Sequence, residues 1–182
     1  MKNDKLLLTL AFKSIESVFD ESIEIDKEKL IKDNPWLNEK RATFVTLTID
    51  GKLRGCIGSL IAHRSLVDDI IHNSKAAAFA DPRFDKLSVE EFEKTKIEIS
   101  LLTPASVLEY KDLDDLKEKL IPNKHGVILE LDGKRATFLP QVWEQLPTFD
   151  EFMVHLCQKA GLDPSSLSGF PKIQIYEAIK IK

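Results

Sequence analysis

Ala42-Thr43-Phe44-Val45-Thr46-Leu47-Thr48-Ile49 is an unbroken run of β-branched, aromatic and aliphatic residues, and it ends in Asp50-Gly51. Residues of this kind fit a pleated, half-buried surface. Asp-Gly is the strongest short-range hairpin signal, because a type I′ turn needs positive φ at both central positions. The chain is therefore expected to turn at Asp50-Gly51 and pair Leu53-Arg54-Gly55-Cys56-Ile57-Gly58-Ser59 back against the first strand. The same device recurs: Val127-Ile128-Leu129-Glu130-Leu131 runs into Asp132-Gly133, and Lys134 to Leu139 returns. Two such hairpins commit the chain to antiparallel sheet, and the remaining residues must supply what covers it.

Helical signals flank both hairpins. Apolar positions 8, 11, 12, 15, 18 and 19 form a helical stripe, interrupted by Lys13 and Glu16 in a way a signal peptide would not be. Asp26 caps a brief helix through Ile31, and Asn34-Pro35 starts one further turn. Ser65 caps a helix from about Leu66 to Ala80, whose Ala76, Ala77 and Ala78 suit close approach to a sheet. Asp81-Pro82-Arg83-Phe84 ends it, since proline disfavours helix in the residue before it. Ser88 and Glu91 make a capping box for a short helix, and Ile97, Ile99 and Leu101 alternate as a third strand. In the second half, Thr148 to Ala160 reads as a helix ended by Gly161, and Ile173 to Ile179 as a final strand. Lys117-Glu118-Lys119-Leu120-Ile121 also repeats Lys27-Glu28-Lys29-Leu30-Ile31 letter for letter. The expected fold is α+β: a predominantly antiparallel sheet with helices packed on it, and an internal duplication of a helix–hairpin–helix–strand unit. The repeats would cover residues 26–102 and 116–180 within one domain spanning 1–182.

The length of 182 residues suffices for one well-cored domain. A formal net charge of −4 leaves no electrostatic footprint for a nucleic-acid partner. No apolar run approaches the ~18 residues of a membrane span. Two cysteines, Cys56 and Cys157, make no disulfide framework and fit a reducing compartment, so a cytoplasmic location is expected.

The chemistry-bearing stretch is Arg54-Gly55-Cys56-Ile57-Gly58. In a regular strand Arg54, Cys56 and Gly58 share a face. A cation beside a cysteine favours the thiolate, and the glycines leave room for another backbone or a ligand. Cys56 is thus the catalytic candidate, with Arg54, Gly55, Gly58 and Ser59 as binding candidates. The plainer reading is a small buried hydrophobe next to a salt-bridged arginine. Asp81, Pro82 and Phe84 have structural reasons to be where they are. Arg83 carries a charge its turn does not need, and it joins the binding candidates. A nucleophilic cysteine wants a base, and only the fold could bring His63 or His125 to it. His125, at a turn entering a strand, is accordingly a further binding candidate. His63 and His72 lack the spacing of ligands on one helix face, so no metal site is expected. The glycines fit neither a dinucleotide nor a P-loop pattern, and no cofactor is expected. Cys157 lies among Phe152, Val154, Leu156 and Ala160 and reads as core.

The segments Phe44-Val45-Thr46-Leu47, Leu53 to Gly58, Asp81-Pro82-Arg83-Phe84, Ile99 to Pro104, Phe138 to Val142, and Cys157 with Lys159-Ala160-Gly161-Leu162 fall in the order seen in one family. By these the chain resembles the AMMECR-type domain family, whose prokaryotic members are called AmmeMemoRadiSam system protein A. Ser59 stands where many relatives have threonine, which keeps the hydroxyl, and the region after Gly161 lacks an expected tryptophan. The resemblance implies an α+β fold, a cytoplasmic protein, and company with a Memo-like protein and a radical S-adenosylmethionine enzyme. It implies no reaction. Two functions stay open: a binding or accessory subunit acting with those partners, or a thiol-dependent enzyme using Cys56 with Arg54 on a small anionic substrate. The missing catalytic constellation favours the first.

Overall fold

The structure, a computed structural model, describes residues 2–182. Along the chain run α1 (Lys2–Phe19), α2 (Lys27–Asp33), β1 (Thr43–Ile49), β2 (Lys52–Gly58), α3 (Leu66–Phe79), α4 (Val89–Phe92), β3 (Lys96–Leu102) and β4 (Ser106–Val107). There follow α5 (Leu113–Lys119), β5 (Gly126–Leu131), β6 (Lys134–Phe138), α6 (Phe149–Lys159), β7 (Lys172–Tyr176) and β8 (Ala178–Ile181). Short 3₁₀ turns occupy Pro35–Asn38, Pro140–Glu144 and Pro164–Gly169. The fold is α+β, as expected. It divides into two compact units, one of residues up to Leu102 with Ile179–Lys182, the other Thr103–Ala178.

The first unit holds a four-stranded sheet in the order β2-β1-β3-β8. Asp50 and Gly51 sit at φ 51° and 75°, the left-handed pair the hairpin requires. β1 pairs antiparallel with β2 and with β3. Val45, Leu47 and Ile99 point to one face and are fully buried under α1 and α3, with Leu7, Leu10, Ala11, Ile15, Leu66, Val67 and Ile70. The N-terminal stripe is rotated from its expected position. Leu7, Leu10, Ala11, Ser14 and Ile15 face the core, whereas Phe12 and Val18 are about half exposed. All of these positions repeat with helical spacing, and the sheet's location decides which stripe is covered. The Ser65 hydroxyl accepts the Asp68 N–H to cap α3, and Ser88 and Glu91 form their capping box on α4.

The second unit holds a sheet in the order β4-β7-β5-β6, with Asp132 and Gly133 again at φ 51° and 75°. Its core gathers Leu116, Val127, Leu129, Trp143, Phe152, Met153, Leu156, Cys157 and Ile173. The Trp143 and Phe152 rings stack with centroids 3.8 Å apart. Thr148 and Glu151 form a capping box for α6, and Gly161 follows it at φ 71°. The predicted last strand is broken at Glu177 into β7 and β8, which belong to different sheets. Among the described residues, no helix is long and apolar enough to cross a membrane.

Candidate functional site

β2 is an edge strand, and an edge presents unpaired backbone groups that must be covered or hydrated. At Cys56 two side chains do the covering. The Cys56 N–H donates to Asp81 Oδ2 at 2.9 Å, and the Cys56 carbonyl accepts from Arg83 Nη2 at 3.3 Å. Asp81 and Arg83 are locked together: Arg83 Nε reaches Oδ1 at 3.0 Å, Nη2 reaches Oδ2 at 2.7 Å, and the Arg83 N–H donates to Oδ1 at 3.1 Å. The proline that stops α3 thus sits inside a clasp that replaces a missing neighbouring strand. The Arg83 hydrogen bonds, helped by the Cys56 and Arg83 N–H groups and opposed by burial, hold the Asp81 carboxyl far below the usual carboxylate range. Asp81 is buried while Arg83 is about half exposed, at 2% and 54% of their side chains.

Because the Cys56 N–H and carbonyl point out of the sheet, its pairing with Thr46 is of the non-hydrogen-bonded kind, in which opposed side chains stand closest. Cys56 Sγ lies 3.3 Å from Thr46 Oγ1, and Thr46 is in turn paired with Glu98 of β3. Glu98 holds Lys182 at 2.8 Å. The thiol is half-buried, and the Thr46 hydroxyl is its hydrogen-bond partner.

Arg54 does not keep regular alternation with Cys56. The register slips between Leu47 and Thr48, so that Leu53 opposes Thr48, Gly55 opposes Leu47, and Arg54 is the extra residue of a β-bulge. The bulge sends its guanidinium to Glu91 of α4, with Nε–Oε1 and Nη2–Oε2 both at 2.8 Å, and to the Asp85 carbonyl at 3.0 Å. This fork, with the Ser88 N–H, pushes the Glu91 carboxyl down to about 2. Arg54 and Arg83 both lie over the Phe84 ring, 5.7 and 5.5 Å from its centroid. The sequence could not show the bulge, since Leu53-Arg54-Gly55 carries no break in β pattern.

The two glycines are filled by the protein itself. A Cβ on Gly55 would lie 2.1 Å from the Ala77 carbonyl oxygen, and one on Gly58 2.2 Å from the Phe44 ring. Gly55 therefore admits another backbone, that of α3. Ser59 enters a buried polar network that sequence reasoning missed. The Asp69 carboxylate accepts from Thr43 N–H and Oγ1, both at 2.8 Å, from Asn73 Nδ2 at 3.0 Å and from Ser59 Oγ at 2.7 Å. Asp69 and Asn73 stand one turn apart on α3, a spacing also found on solvated helix faces, so only the fold reveals the cluster. Arg64 Nε lies 3.4 Å from Asp69 Oδ1.

His125 belongs to the second unit. Its Nδ1 accepts the Ile121 N–H at 3.2 Å, its carbonyl accepts Trp143 Nε1–H at 2.9 Å, and burial, with Lys124 adding, pushes its imidazole below the ordinary value. Gly126 beside it lies under the Tyr176 ring. His63 Nδ1 is 2.9 Å from the Ile61 carbonyl. Cys157 is fully buried, and burial raises its thiol pKa. Among the described residues no group of His, Cys, Asp and Glu could hold a metal ion.

Comparison with known proteins places this architecture. Protein Mbar_A1807 of Methanosarcina barkeri is 34% identical over 92% of this chain and 84% of its own. Protein MK0488 of Methanopyrus kandleri is 34% identical over 90% and 80%. The crystal structure of uncharacterised protein PH0010 from Pyrococcus horikoshii matches with a TM-score of 0.80 and 31% identity, covering 96% of this chain and 88% of that one. The sequence profile of the AMMECR1 family matches residues 8–181, through both compact units, and the chain belongs to that family.

Proposed function

We propose that this is a cytoplasmic binding or accessory subunit that acts with a Memo-like protein and a radical S-adenosylmethionine enzyme. The observation that carries the binding role is the clasp on β2. Arg54 is neutralised by Glu91, Asp81 by Arg83, and the Cys56 backbone by that pair, so the polar groups of the stretch are spent on rigidity. What remains outward is a fixed edge bearing the half-exposed Arg83 side chain, its charge already matched by Asp81, which suits docking against a partner surface. The identity of the partners rests on the family resemblance, and the two free cysteines fit a reducing compartment.

The test is anaerobic co-elution of the purified protein with each partner from the same source, using native protein, Cys56→Ala and Arg83→Gln. Affinity should survive Cys56→Ala and fall in Arg83→Gln. Absence of co-elution and of any effect on either partner's activity would remove the proposal. The thiol-enzyme reading is favoured by the partial exposure of Cys56 against the full burial of Cys157. It requires that Cys56 label with iodoacetamide in the native protein and that Cys56→Ala abolish turnover while binding persists.

A further inference from the structure

A second site lies on the opposite side of α3 from its buried face. Asp68, Ile71, His72, Lys75, Ala76 and Phe79 form one stripe of that helix at i, i+3, i+4, i+7, i+8 and i+11, about 16 Å long at helical rise. With Val18 of α1, Arg64, Ala80 and Lys86 they line a groove of about 790 Å³. That volume falls within the range of small-molecule sites. Neither Arg54, Cys56, Asp81 nor Arg83 lines it.

The groove's chemistry is one-sided. Val18, Ile71, Ala76, Phe79 and Ala80 make an apolar floor, and the fixed cations Arg64, Lys75 and Lys86 stand around it in a chain whose net charge is −4. The single acid, Asp68, is already matched: Lys27 Nζ lies 2.9 Å from it and Ser65 Oγ donates at 2.6 Å. Arg64 is held in place from beneath by the buried Asp69 carboxylate and by Ser59 Oγ. Lys75 is half-buried beside Ile71 and Phe79, and neither it nor Lys86 has an ion pair or hydrogen bond among the described residues. A half-buried lysine at an apolar surface gains from an anion that brings its own apolar body, since the pair is then partly shielded from water.

We propose that this groove binds a small organic anion, a carboxylate or phosphate monoester on an apolar chain or ring system. The head group meets Lys75 and Lys86 at the C-terminal end of α3, and the body lies along Ile71, Ala76 and Phe79.

Titration of the full-length, nitrogen-15-labelled protein with octanoate and with octyl phosphate tests this, read by amide chemical shifts. Saturable shifts confined to α3, Val18 and Lys86 are expected with both probes. Octanol and octyltrimethylammonium should bind more weakly, and added salt should weaken only the anions. Lys75→Gln with Lys86→Gln, both outside the Asp69 network, should raise the dissociation constant about tenfold. Arg64 is left intact because it belongs to that network. Equal binding of octanol and octanoate, unchanged affinity in the double variant, shifts mapping elsewhere, or no saturation would each overturn the proposal. An acidic, leucine-containing helical peptide that binds here while octanoate does not would assign the groove to a protein partner and overturn it too.

Discussion

Asp81→Ala removes the centre of the clasp on β2, and its cost can be worked from the contacts. The buried carboxylate accepts four hydrogen bonds, one from the Cys56 N–H and three from Arg83. Loss of the first leaves a backbone donor on the strand edge without its charged acceptor, about 1–3 kcal/mol. The Arg83 side chain is 54% exposed and rehydrates, so losing the ion pair adds only about 0–1 kcal/mol. The sum is about 1–4 kcal/mol at neutral pH. Asp81→Asn keeps an oxygen for the Cys56 N–H and should cost about half as much. Arg83→Ala, which leaves Asp81 with its two N–H partners, should cost about 1 kcal/mol or less. Urea unfolding gives the totals, and native-state hydrogen exchange at the Cys56 amide gives the local part. Two outcomes would refute the reasoning: unchanged protection of the Cys56 amide in Asp81→Ala, or an Arg83→Ala cost equal to that of Asp81→Ala. The effect is pH-dependent in a known sense. The folded carboxyl sits below its ordinary value of 3.8, so the contribution is whole above that pH and is lost as pH falls toward the folded value.

Two further outcomes concern packing and protonation. Gly55→Ala drives a Cβ into the Ala77 carbonyl and should cost about 2–4 kcal/mol by urea unfolding, whereas Gly51→Ala meets no atom within 4 Å and should cost about 1 kcal/mol for its positive φ. His125 must be neutral at Nδ1 to accept the Ile121 N–H, and burial lowers its pKa from 6.5. The unfolded chain therefore takes up the proton first. Stability is whole above about pH 6.5 and declines as pH falls toward the folded value, and His125→Asn, whose amide oxygen can replace Nδ1, should flatten that slope in denaturation measured from pH 7.5 to 5.

Local chemistry made much of the fold legible. Both Asp-Gly turns, the Ser65 and Ser88 caps and the stop at Asp81-Pro82 are decided within a few residues, and each forms where those residues put it. The site was legible only as a place. Arg54 and Cys56 were singled out by type, but their partners Glu91, Asp81 and Thr46 come from other elements. The Asp69 network was invisible for a similar reason: an aspartate and an asparagine on a helix look solvated until β1 is laid over them. The face of α1 was missed because two stripes repeat with the same period and only packing chooses between them.

The bulge at Arg54 gives a means of separating what the hairpin needs from what this site adds. In the second hairpin Lys134, Arg135, Ala136 and Thr137 oppose Leu131, Glu130, Leu129 and Ile128 without a slip. In the first, Lys52 and Leu53 oppose Ile49 and Thr48, then Gly55 and Cys56 oppose Leu47 and Thr46, with Arg54 left over. In each sheet the first hairpin strand lies between its hairpin partner and a strand that follows a long helix. We propose that the hairpins descend from one duplicated unit, and that Arg54 is an insertion acquired by the first copy. Ala136 then marks Gly55's place and Thr137 that of Cys56. Deleting Arg54 should remove the bulge and leave the register intact on both sides, with Cys56 still opposite Thr46. The loss is the Arg54–Glu91 pair, about 1–2 kcal/mol because Glu91 stays in reach of water. Cross-strand contacts between Cys56 and Thr46 by nuclear magnetic resonance, with urea unfolding, read both effects. A deletion that slips the strand by one residue would turn Gly55 and Ile57 away from α3 and unfold the unit. That result would show the bulge to be part of the fold's own register and would end the insertion argument.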